Sequence, residues 1–400
     1  MSNILSVSSA ACTACGACVN ICPVRAVKFL ADSRGFNYPS VNNSACTDCG
    51  LCLKVCSVGK KQQLENKTLE PKVYAAYHND EEIRRNSSSG GIFSVLAQYI
   101  LTNNGIVYGA AFDENFKVVH IGIRTVNDLE KLRGSKYVQS HIPDGLFEEI
   151  RKELNAGTHI LFSGTPCQVA GLKLFLQKEY KNLLSADLVC HGVPSPKIFK
   201  DYLCWLEDLY CEKVTSFSFR DKKYSWEFYN IKACFKKRKY ERLSNADPYM
   251  RLFLSHPPLC LRDSCYQCQF ADTKRVADIT IADFWGLQYA PDTVQDDKGV
   301  SCVICNTIQG YQIWEKVRGQ CKVEERQLQE AIAGNLHLKH PVPKNVEAIK
   351  AFWSRYEQMG FAVTLNMQRT SIRRKLVFVL CRYFPGVFCW LVKFKRGRKQ

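Results

Sequence analysis

The sequence lacks any segment typical of export from the cell or of crossing a membrane. Residues 1–11 contain no basic residue and no long apolar run, so they do not resemble a secretory signal peptide. The apolar stretch from Leu376 to Val392 is interrupted by Arg382 and Pro385. It is too short and too broken for a typical membrane-spanning helix. We therefore expect a cytoplasmic protein whose cysteine thiols stay reduced and can bind metal.

Acidic residues are scarce relative to basic ones. The chain has 38 Asp and Glu against 55 Lys and Arg, which gives a formal net charge of +17. No recognised nucleic-acid-binding motif accompanies this charge, and no aromatic stripe runs beside it, so we expect no nucleic-acid partner. Such a charge favours an acidic protein partner, such as a small ferredoxin, or an anionic lipid surface.

Cysteine, by contrast, is abundant, with 21 residues. One four-cysteine spacing occurs twice near the start of the chain. A loop with this spacing supplies three thiolates to a 4Fe-4S cube, and in two-cluster ferredoxins the fourth thiolate comes from the other motif. The sequence therefore predicts two clusters. The first would be held by Cys12, Cys15, Cys18 and Cys56, and the second by Cys22, Cys46, Cys49 and Cys52.

The alternative metal for these cysteines is zinc. Zinc sites favour two pairs of cysteines separated by a longer spacer, so two copies of a four-cysteine spacing argue against zinc. Gly16 and Gly50 are expected where each loop wraps closest to its cube. Pro23 follows the first motif in the usual way, whereas Ser57 stands where the second motif would have proline.

The patterns along the chain indicate a small domain followed by a larger one. We predict a ferredoxin-type domain at residues 1–60, a polar linker at 61–72, a larger domain at 73–345 and a helical, basic tail at 346–400. In the larger domain, short apolar runs alternate with helical patterns, which predicts an α+β or α/β fold. The predicted strands are Val73–His78, Gly105–Phe112, Val118–Ile123, His159–Phe162, Leu183–Val189, Val214–Phe219, Ile279–Phe284 and Val300–Cys305, and the predicted helices are Gly91–Leu101, Leu146–Leu154, Gln168–Lys178 and Pro196–Leu209.

Several segments of the larger domain are distinctive in sequence. They begin at Asn86, Arg133, Phe162, Asp187, Ser264 and Asp278 and read NSSSGGIF, RGSKYVQS, FSGTPCQ, DLVCHGVPSP, SCYQC and DITIADFWG. Together they resemble the coenzyme F420-reducing hydrogenase/dehydrogenase beta-subunit family over about residues 73–345. The resemblance implies an FAD-containing iron–sulfur oxidoreductase. Family members encoded near bacterial polysaccharide genes further imply a sugar-related substrate.

The same resemblance implies a third 4Fe-4S cluster at the family's motif positions. Its ligands would be Cys167, Cys190, Cys265 and Cys268. Cys260 is the main competitor for one of these places, because its spacing to Cys265 and Cys268 is also typical of a ligand. Cys302 and Cys305 lie inside a predicted strand, where alternation would place their thiols on opposite faces, so we leave them out.

Two turns could bind a cofactor phosphate, because each follows a strand-like run or opens a helix with free N–H groups. Without the resemblance, both would be ordinary helix caps. His191 is the candidate catalytic residue, as a proton donor near the flavin, although a structural histidine is the simpler alternative. The candidate cofactor-binding residues are Ser87, Ser88, Ser89, Gly90, Gly91, Lys136, Tyr137, Gly164, Thr165 and Pro166.

Two functions fit these features. In the first, electrons from ferredoxin or from reduced coenzyme F420 pass through the clusters to FAD and on to a small-molecule or sugar substrate. In the second, the chain is an electron-relay subunit of a hydrogenase or dehydrogenase complex and has no substrate of its own. The C-terminal tail, which combines aromatic and basic residues, adds a possible peripheral contact with a membrane.

Overall fold

The computed structural model describes residues 3–64, 70–285, 287, 296–366, 380 and 384–397. Residues 367–379 and 381–383 of the predicted C-terminal tail, including Cys381, lie outside these residues. The strands are β1 (Val27–Ala31), β2 (Asn37–Val41), β3 (Lys72–His78), β4 (Ile106–Phe112), β5 (Val118–Ile123), β6 (Ile160–Gly164), β7 (Leu183–Leu188), β8 (Ser216–Asp221), β9 (Asn230–Cys234), β10 (Lys239–Leu243), β11 (Ile279–Asp283), β12 (Ser301–Cys305) and β13 (Cys321–Arg326).

The α-helices of the described residues range from one turn to four. They are α1 (Ala17–Ile21), α2 (Leu51–Lys54), α3 (Glu81–Asn86), α4 (Ile92–Thr102), α5 (Leu129–Leu132), α6 (Leu146–Asn155), α7 (Pro166–Leu176), α8 (Pro196–Tyr210), α9 (Pro248–Phe253), α10 (Ile308–Val317), α11 (Leu328–Gly334), α12 (Val346–Met359), α13 (Ala362–Asn366) and α14 (Pro385–Gly397).

The N-terminal domain contains the antiparallel pair β1–β2 and the two short helices α1 and α2. Each helix follows one cysteine loop and begins after a glycine with positive φ, 88° at Gly16 and 71° at Gly50. Other residues rarely adopt this conformation. At Gly16 a Cβ atom would also lie 2.7 Å from Cβ of Ile142. These glycines therefore let each loop turn sharply from its cysteines into its helix.

One eight-stranded mixed sheet forms the centre of the larger domain, in the order β13–β3–β12–β11–β7–β6–β4–β5. Strands β4, β6, β7 and β11 are parallel neighbours, and the remaining pairs are antiparallel. The C-terminal ends of the parallel strands lie on the same side of the sheet, which we call its carboxyl edge. The last residues of β6, β7 and β11 there are Gly164, Leu188 and Asp283. Ligands of open α/β sheets bind at this carboxyl edge.

Both faces of the sheet are buried. One face packs on α4 and α10, through residues such as Val95 and Trp314. The other packs on α6 and α7, through residues such as Phe147 and Val169, and this second core also includes Cys15 and other residues of the N-terminal domain. The ferredoxin-type domain is thus fixed beside α7 by apolar packing.

A third core lies at the carboxyl edge. It joins the antiparallel sheet β8–β9–β10 to helices α8, α9 and α12 through many aromatic rings. Helix α12 buries Phe352, Trp353 and Tyr356 there. Helix α14 packs Phe388 and Cys389 against Leu243 and its neighbours. No helix among the described residues is long and apolar enough to span a bilayer.

The prediction of an α+β or α/β fold, with a small ferredoxin-type domain before a larger mixed domain, is confirmed. All eight predicted strands correspond to strands of the structure within a few residues. The structure also adds β1, β2, β9, β10 and β13, which the apolar runs did not indicate.

Candidate functional site

The second predicted cluster site is a cavity lined by the second cysteine loop, the end of the first motif and the start of β1. Cys22 reaches it from the first motif, while Cys46, Cys49 and Cys52 come from the second. The backbone N–H of Ala26 donates to Sγ of Cys22 at 3.2 Å. The structure therefore brings together the four cysteines that the exchanged-ligand arrangement predicts.

The first predicted cluster site is a larger, more open cavity. Cys12, Cys15 and Cys18 line it together with Cys56, which comes from the second motif. Ser57, the residue that departs from the usual motif, is buried and donates its hydroxyl to Sγ of Cys15 at 3.9 Å. This departure thus gives a cluster ligand one more hydrogen bond.

Burial keeps several of these thiols protonated when no metal binds them. Loss of solvation raises the pKa of Cys15, and it raises the pKa of Cys56 to about 11. Bound iron takes the thiolate form, so loading the sites must release protons. Among the described residues, no three His, Cys, Asp or Glu side chains could together hold a single metal ion. The thiolates of a 4Fe-4S cube bind different iron atoms, so they stand farther apart than such ligands.

The four cysteines of the predicted third cluster come together at the carboxyl edge of the sheet. Cys167 is the second residue of α7, Cys190 follows β7, and Cys265 and Cys268 belong to a loop with a 3-10 helix at Asp263–Gln267. The negative charges of Cys190, Cys268 and Cys167 raise the pKa of Cys265, after burial as the largest cause. Two contacts support this grouping: the successive residues Gly192 and Val193 donate to Cys190 and Cys265, and Cys167 and Cys268 pack against the same core.

Backbone N–H groups point at these sulfur atoms. The N–H of Gly192 donates to Sγ of Cys190, and the N–H of Val193 donates to Sγ of Cys265, both at 3.4 Å. Gly192 has φ of 103°, and a Cβ there would lie 2.7 Å from Leu261, so this close turn requires glycine. Hydrogen bonds to sulfur are one determinant of cluster potential.

Cys260 lies apart from this group. It is buried in the aromatic core, and its carbonyl accepts the N–H of Ser195 at 3.0 Å. Burial raises its pKa, with no contribution from the four cysteines of the group. The structure therefore separates Cys260 from the set formed by Cys167, Cys190, Cys265 and Cys268. Cys302 and Cys305 face different cores, as strand alternation predicts.

A close contact joins the first cluster site to the predicted third one. Cys167 and Gly171 are one turn apart on α7, and a Cβ on Gly171 would lie 2.9 Å from Sγ of Cys15. The charge of Cys15 also raises the pKa of Cys167. The absence of a side chain at residue 171 thus brings the two cysteine groups within contact range.

Further hydrogen bonds fix this joint between the domains. Gln269 donates to the carbonyl of Ser57 at 2.8 Å, and Gln139 donates to the carbonyl of Thr13 at 3.3 Å. Lys61, which is buried, pairs with Asp272. The orientation of the two domains is therefore set by specific polar contacts as well as by apolar packing.

A buried ion pair supports the segment that leads to Cys190. The Arg275 guanidinium donates to Oδ2 of Asp187 and to the carbonyl of Leu188, both at 2.9 Å, and both side chains of the ion pair are almost completely buried. Thr280 donates to the other carboxylate oxygen of Asp187 at 2.6 Å. The network joins the carboxyl end of β7 to the start of its neighbour β11, just before Cys190 in the chain.

The turn at Gly164, Thr165 and Pro166 contacts Cys167 through the side chain of Thr165. Both the backbone N–H and the hydroxyl of Thr165 donate to Oε1 of Gln168 at 3.0 Å. The Thr165 hydroxyl also lies 3.1 Å from Sγ of Cys167. The N–H and the hydroxyl of Thr165 are therefore engaged with Gln168 and Cys167.

The segment Ser87–Gly91 is tightly packed and leads into an uncapped helix. Gly90 packs so tightly that a Cβ would lie 2.4 Å from the carbonyl oxygen of Ala76. Gly91, with φ of 95°, begins α4 without a side-chain cap. In the first turn of α4, Ser94 accepts a hydrogen bond from Nε of Arg133 at 3.1 Å. An uncapped helix start beside a guanidinium favours an anionic group.

Two cations that sequence reasoning missed hold this segment. Arg220 on β8 donates to the carbonyl of Ser88 and pairs with Asp283, both at 2.9 Å. Lys222 donates to three backbone carbonyls, including that of Ser89 at 2.8 Å. Arg220 also donates to the hydroxyl of Tyr137 at 3.1 Å. No motif marks these cations, because their partners are distant in sequence.

Three predicted site residues have mainly structural surroundings. Lys136 donates to the carbonyls of Lys131 and Arg133, and burial lowers its pKa to about 7. The ring of Tyr137 packs on Phe253 in the aromatic core. The hydroxyl of Ser89 donates to the carbonyl of Val300 at 3.0 Å.

His191 is half-buried beside a second histidine. Its Nδ1 lies 2.6 Å from Nε2 of His337, and its ring contacts Phe253 edge-on. Burial lowers the pKa of His191 to about 4. The imidazole is therefore neutral near pH 7. These contacts favour the structural alternative over a proton donor.

Comparisons with known proteins identify two families along the chain. Residues 11–60 match the family described as "4Fe-4S dicluster domain". Residues 73–146 and 157–331, together more than half of the chain, match the N-terminal and C-terminal parts of the family described as "Coenzyme F420 hydrogenase/dehydrogenase, beta subunit". No curated protein matches the chain. Among solved structures, it is similar to a chain of the F420-reducing [NiFe] hydrogenase complex from Methanosarcina barkeri, with 18% identity, a TM-score of 0.44 and coverage of 74% of this chain and 93% of that one.

Proposed function

Because the chain belongs to the coenzyme F420 hydrogenase/dehydrogenase beta-subunit family and carries a 4Fe-4S dicluster domain, we propose that it is a flavin-dependent iron–sulfur reductase. Its family and its dicluster domain make it an electron-transfer iron–sulfur protein of the oxidoreductase class. Clusters carry single electrons and a flavin accepts one or two, so the set would couple one-electron supply to two-electron chemistry.

The observation that carries this proposal is the continuity of the three cysteine groups. Cys22 and Cys56 tie the second site to the first through their exchanged motifs. Gly171 lets the first site touch the helix that carries Cys167. We assign Cys167, Cys190, Cys265 and Cys268 to a third cluster on this basis. The chain would thus hold its clusters in adjacent sites, from the N-terminal domain to the larger domain.

FAD is best accommodated at the start of α4. The uncapped N–H groups after Gly91 and the nearby guanidinium of Arg133 fit a phosphate. Arg220 and Lys222 would hold the preceding loop in place and so position these donors. Gly164, Thr165 and Pro166, which the sequence also suggested for FAD, act instead on Cys167 in this proposal.

The electron donor would dock at the rim of the second site, where Cys49 is exposed. Arg25, Lys28 and Lys54 are exposed in this domain. In this proposal these basic residues pair with acidic residues of a donor protein such as ferredoxin, while Asp48 beside Cys49 adds one negative charge to the rim. Reduced coenzyme F420 is the alternative donor suggested by the family. The sugar-related substrate stays a prediction drawn from the resemblance alone.

A relay subunit is the second candidate function, because the matched family is named for beta subunits of multi-subunit enzymes. The two candidates differ in what the chain does alone. A reductase, once reduced, passes electrons to a small acceptor without another protein. A relay subunit does so only after a partner subunit is added.

Cofactor content tests the proposal directly. After purification without oxygen, we expect about twelve iron atoms and about twelve sulfides per chain, since twelve cysteines at four per cube hold three clusters. We also expect one FAD per chain. The measurements are iron and acid-labile sulfide analysis and the flavin released by denaturation. About eight irons with full flavin would rule out the third cluster, and zinc in place of iron would overturn the proposal.

Helix α14 supports the proposed contact with an anionic membrane. Phe384, just before the helix, is 56% exposed and Trp390 on the helix is 60% exposed, while Phe388 is buried. Basic residues of the sequence follow directly, including Lys393 and Lys395. An exposed aromatic face beside basic residues is typical of interfacial anchors.

We expect replacement of Phe384, Val387 and Trp390 by serine to reduce binding to anionic phospholipid vesicles several-fold, with cluster and FAD content unchanged. Cosedimentation measures the bound fraction. The matched control replaces three exposed apolar residues elsewhere, Leu209, Leu336 and Val346, by serine. An equal loss in both triple variants, or no binding by the unaltered chain, would end the membrane proposal.

A further inference from the structure

Arg262 is a completely buried cation at the joint between the two domains. Its Nε donates to the carbonyl of Cys12, a ligand of the first cluster site, at 2.6 Å. Its Nη1 donates to Oε1 of Gln139 at 3.1 Å. Its guanidinium also stacks over the ring of Tyr38, 4.1 Å from the centroid, and that ring lines the first cluster cavity.

No carboxylate neutralises this charge. Arg262 forms no ion pair with any residue that the structure describes, and its Nη2 has no hydrogen-bond acceptor there. Asp263, its neighbour in sequence, pairs instead with Arg34 at 3.9 Å. An isolated charge is expensive to bury, so buried arginines normally have an anionic partner.

The first cluster site supplies the missing negative charge. A 4Fe-4S(2+) core with four thiolates carries a net charge of about −2, and reduction by one electron makes it about −3. Cys12 and Tyr38, which both contact Arg262, line this cavity and do not line the cavity of the second cluster. We propose that Arg262 is the buried counter-charge of the first 4Fe-4S cluster and raises the reduction potential of that cluster.

The direction of the shift in the reduction potential follows from electrostatics. A nearby positive charge stabilises the more negative, reduced cluster more than the oxidised one. Removing the charge should therefore make the first cluster harder to reduce, while the second cluster should change much less. This inference depends on the first cluster and on its contact with Arg262. It can hold or fail independently of the third cluster and of FAD.

The test is a potentiometric titration of the anaerobically purified full chain, followed by electron paramagnetic resonance. The first-cluster signal is identified as the one altered in Cys18→Ser. In Arg262→Met we expect the equilibrium constant for its one-electron reduction to fall about tenfold, which is about 59 mV for a one-electron couple. Arg262→Lys keeps the charge and should shift the equilibrium much less.

Gln139 provides a second test that leaves Arg262 in place. Gln139→Glu puts a carboxylate against Nη1 of Arg262, so it should lower the first-cluster potential in the same direction, even if Arg262→Met does not fold. Gln139→Leu removes the same hydrogen bonds without adding charge and should leave the potential near that of the unaltered chain. Equal shifts in Arg262→Met and Arg262→Lys, or an unchanged potential in Gln139→Glu, would show a purely structural arginine and overturn the proposal.

Discussion

Replacement of Cys167 by serine is expected to stop reduction of the flavin while the N-terminal clusters stay reducible. The change removes one proposed ligand of the third cluster, so iron should fall from about twelve to about eight atoms per chain. The eight cysteines of the dicluster domain are untouched. Stopped-flow absorbance with reduced ferredoxin as donor would follow the flavin, and electron paramagnetic resonance would follow the clusters.

Cys260→Ser is the matched control, because Cys260 is also a buried thiol of the same region but packs in the aromatic core. It should keep its iron and its flavin reduction. Normal flavin reduction in Cys167→Ser would mean that the third-cluster assignment is wrong. A loss in Cys260→Ser with none in Cys167→Ser would place Cys260 among the ligands instead.

Replacement of Arg275 by methionine should destabilise the larger domain severely. Arg275 and Asp187 form an ion pair whose side chains are 2% and 0% exposed. Removing one partner of such a pair leaves an unpaired buried charge and costs about 3–5 kcal/mol. Chemical denaturation of the anaerobic protein would measure the free energy of unfolding, and the third-cluster cysteines should lose iron first because the network supports the segment before Cys190.

Two further variants separate charge from packing. Adding Asp187→Asn to Arg275→Met removes the orphaned charge and should restore a large part of the lost stability. Arg318→Met breaks an exposed pair with Glu315 and should cost less than about 1 kcal/mol. If Arg275→Met were as mild as Arg318→Met, the buried network would have no special role in the fold.

Local spacing was enough to predict the dicluster domain. The exchanged arrangement follows from the geometry of a loop that can offer three thiolates to one cube, and the structure groups Cys22 and Cys56 accordingly. Most strands of the central sheet could also be predicted from the sequence, because strands buried on both faces appear as continuous apolar runs. Strand β13, with the sequence CKVEER, lies at the sheet edge and is too polar to give that signal.

The third cysteine group and the buried cations could not be predicted from spacing. Cys167, Cys190 and Cys265 lie in three separate segments, so only the resemblance suggested that they meet. Arg275 bonds to Asp187, a residue 88 positions away, and no local pattern records such a pairing. The contacts of Thr165 with Gln168 and Cys167 were likewise not predicted, because the pattern of the turn indicated only an anion site.

The contact between Arg262 and Cys12 joins residues 250 positions apart in the chain. During synthesis the N-terminal domain leaves the ribosome first, and at about 5–20 residues per second the loop that carries Arg262 follows roughly 12–50 s later. For that interval the cysteines of the first site face solvent without the surface that later covers them. Iron supply and exclusion of oxygen should therefore matter most while the chain is still being made, before the two domains can close on each other.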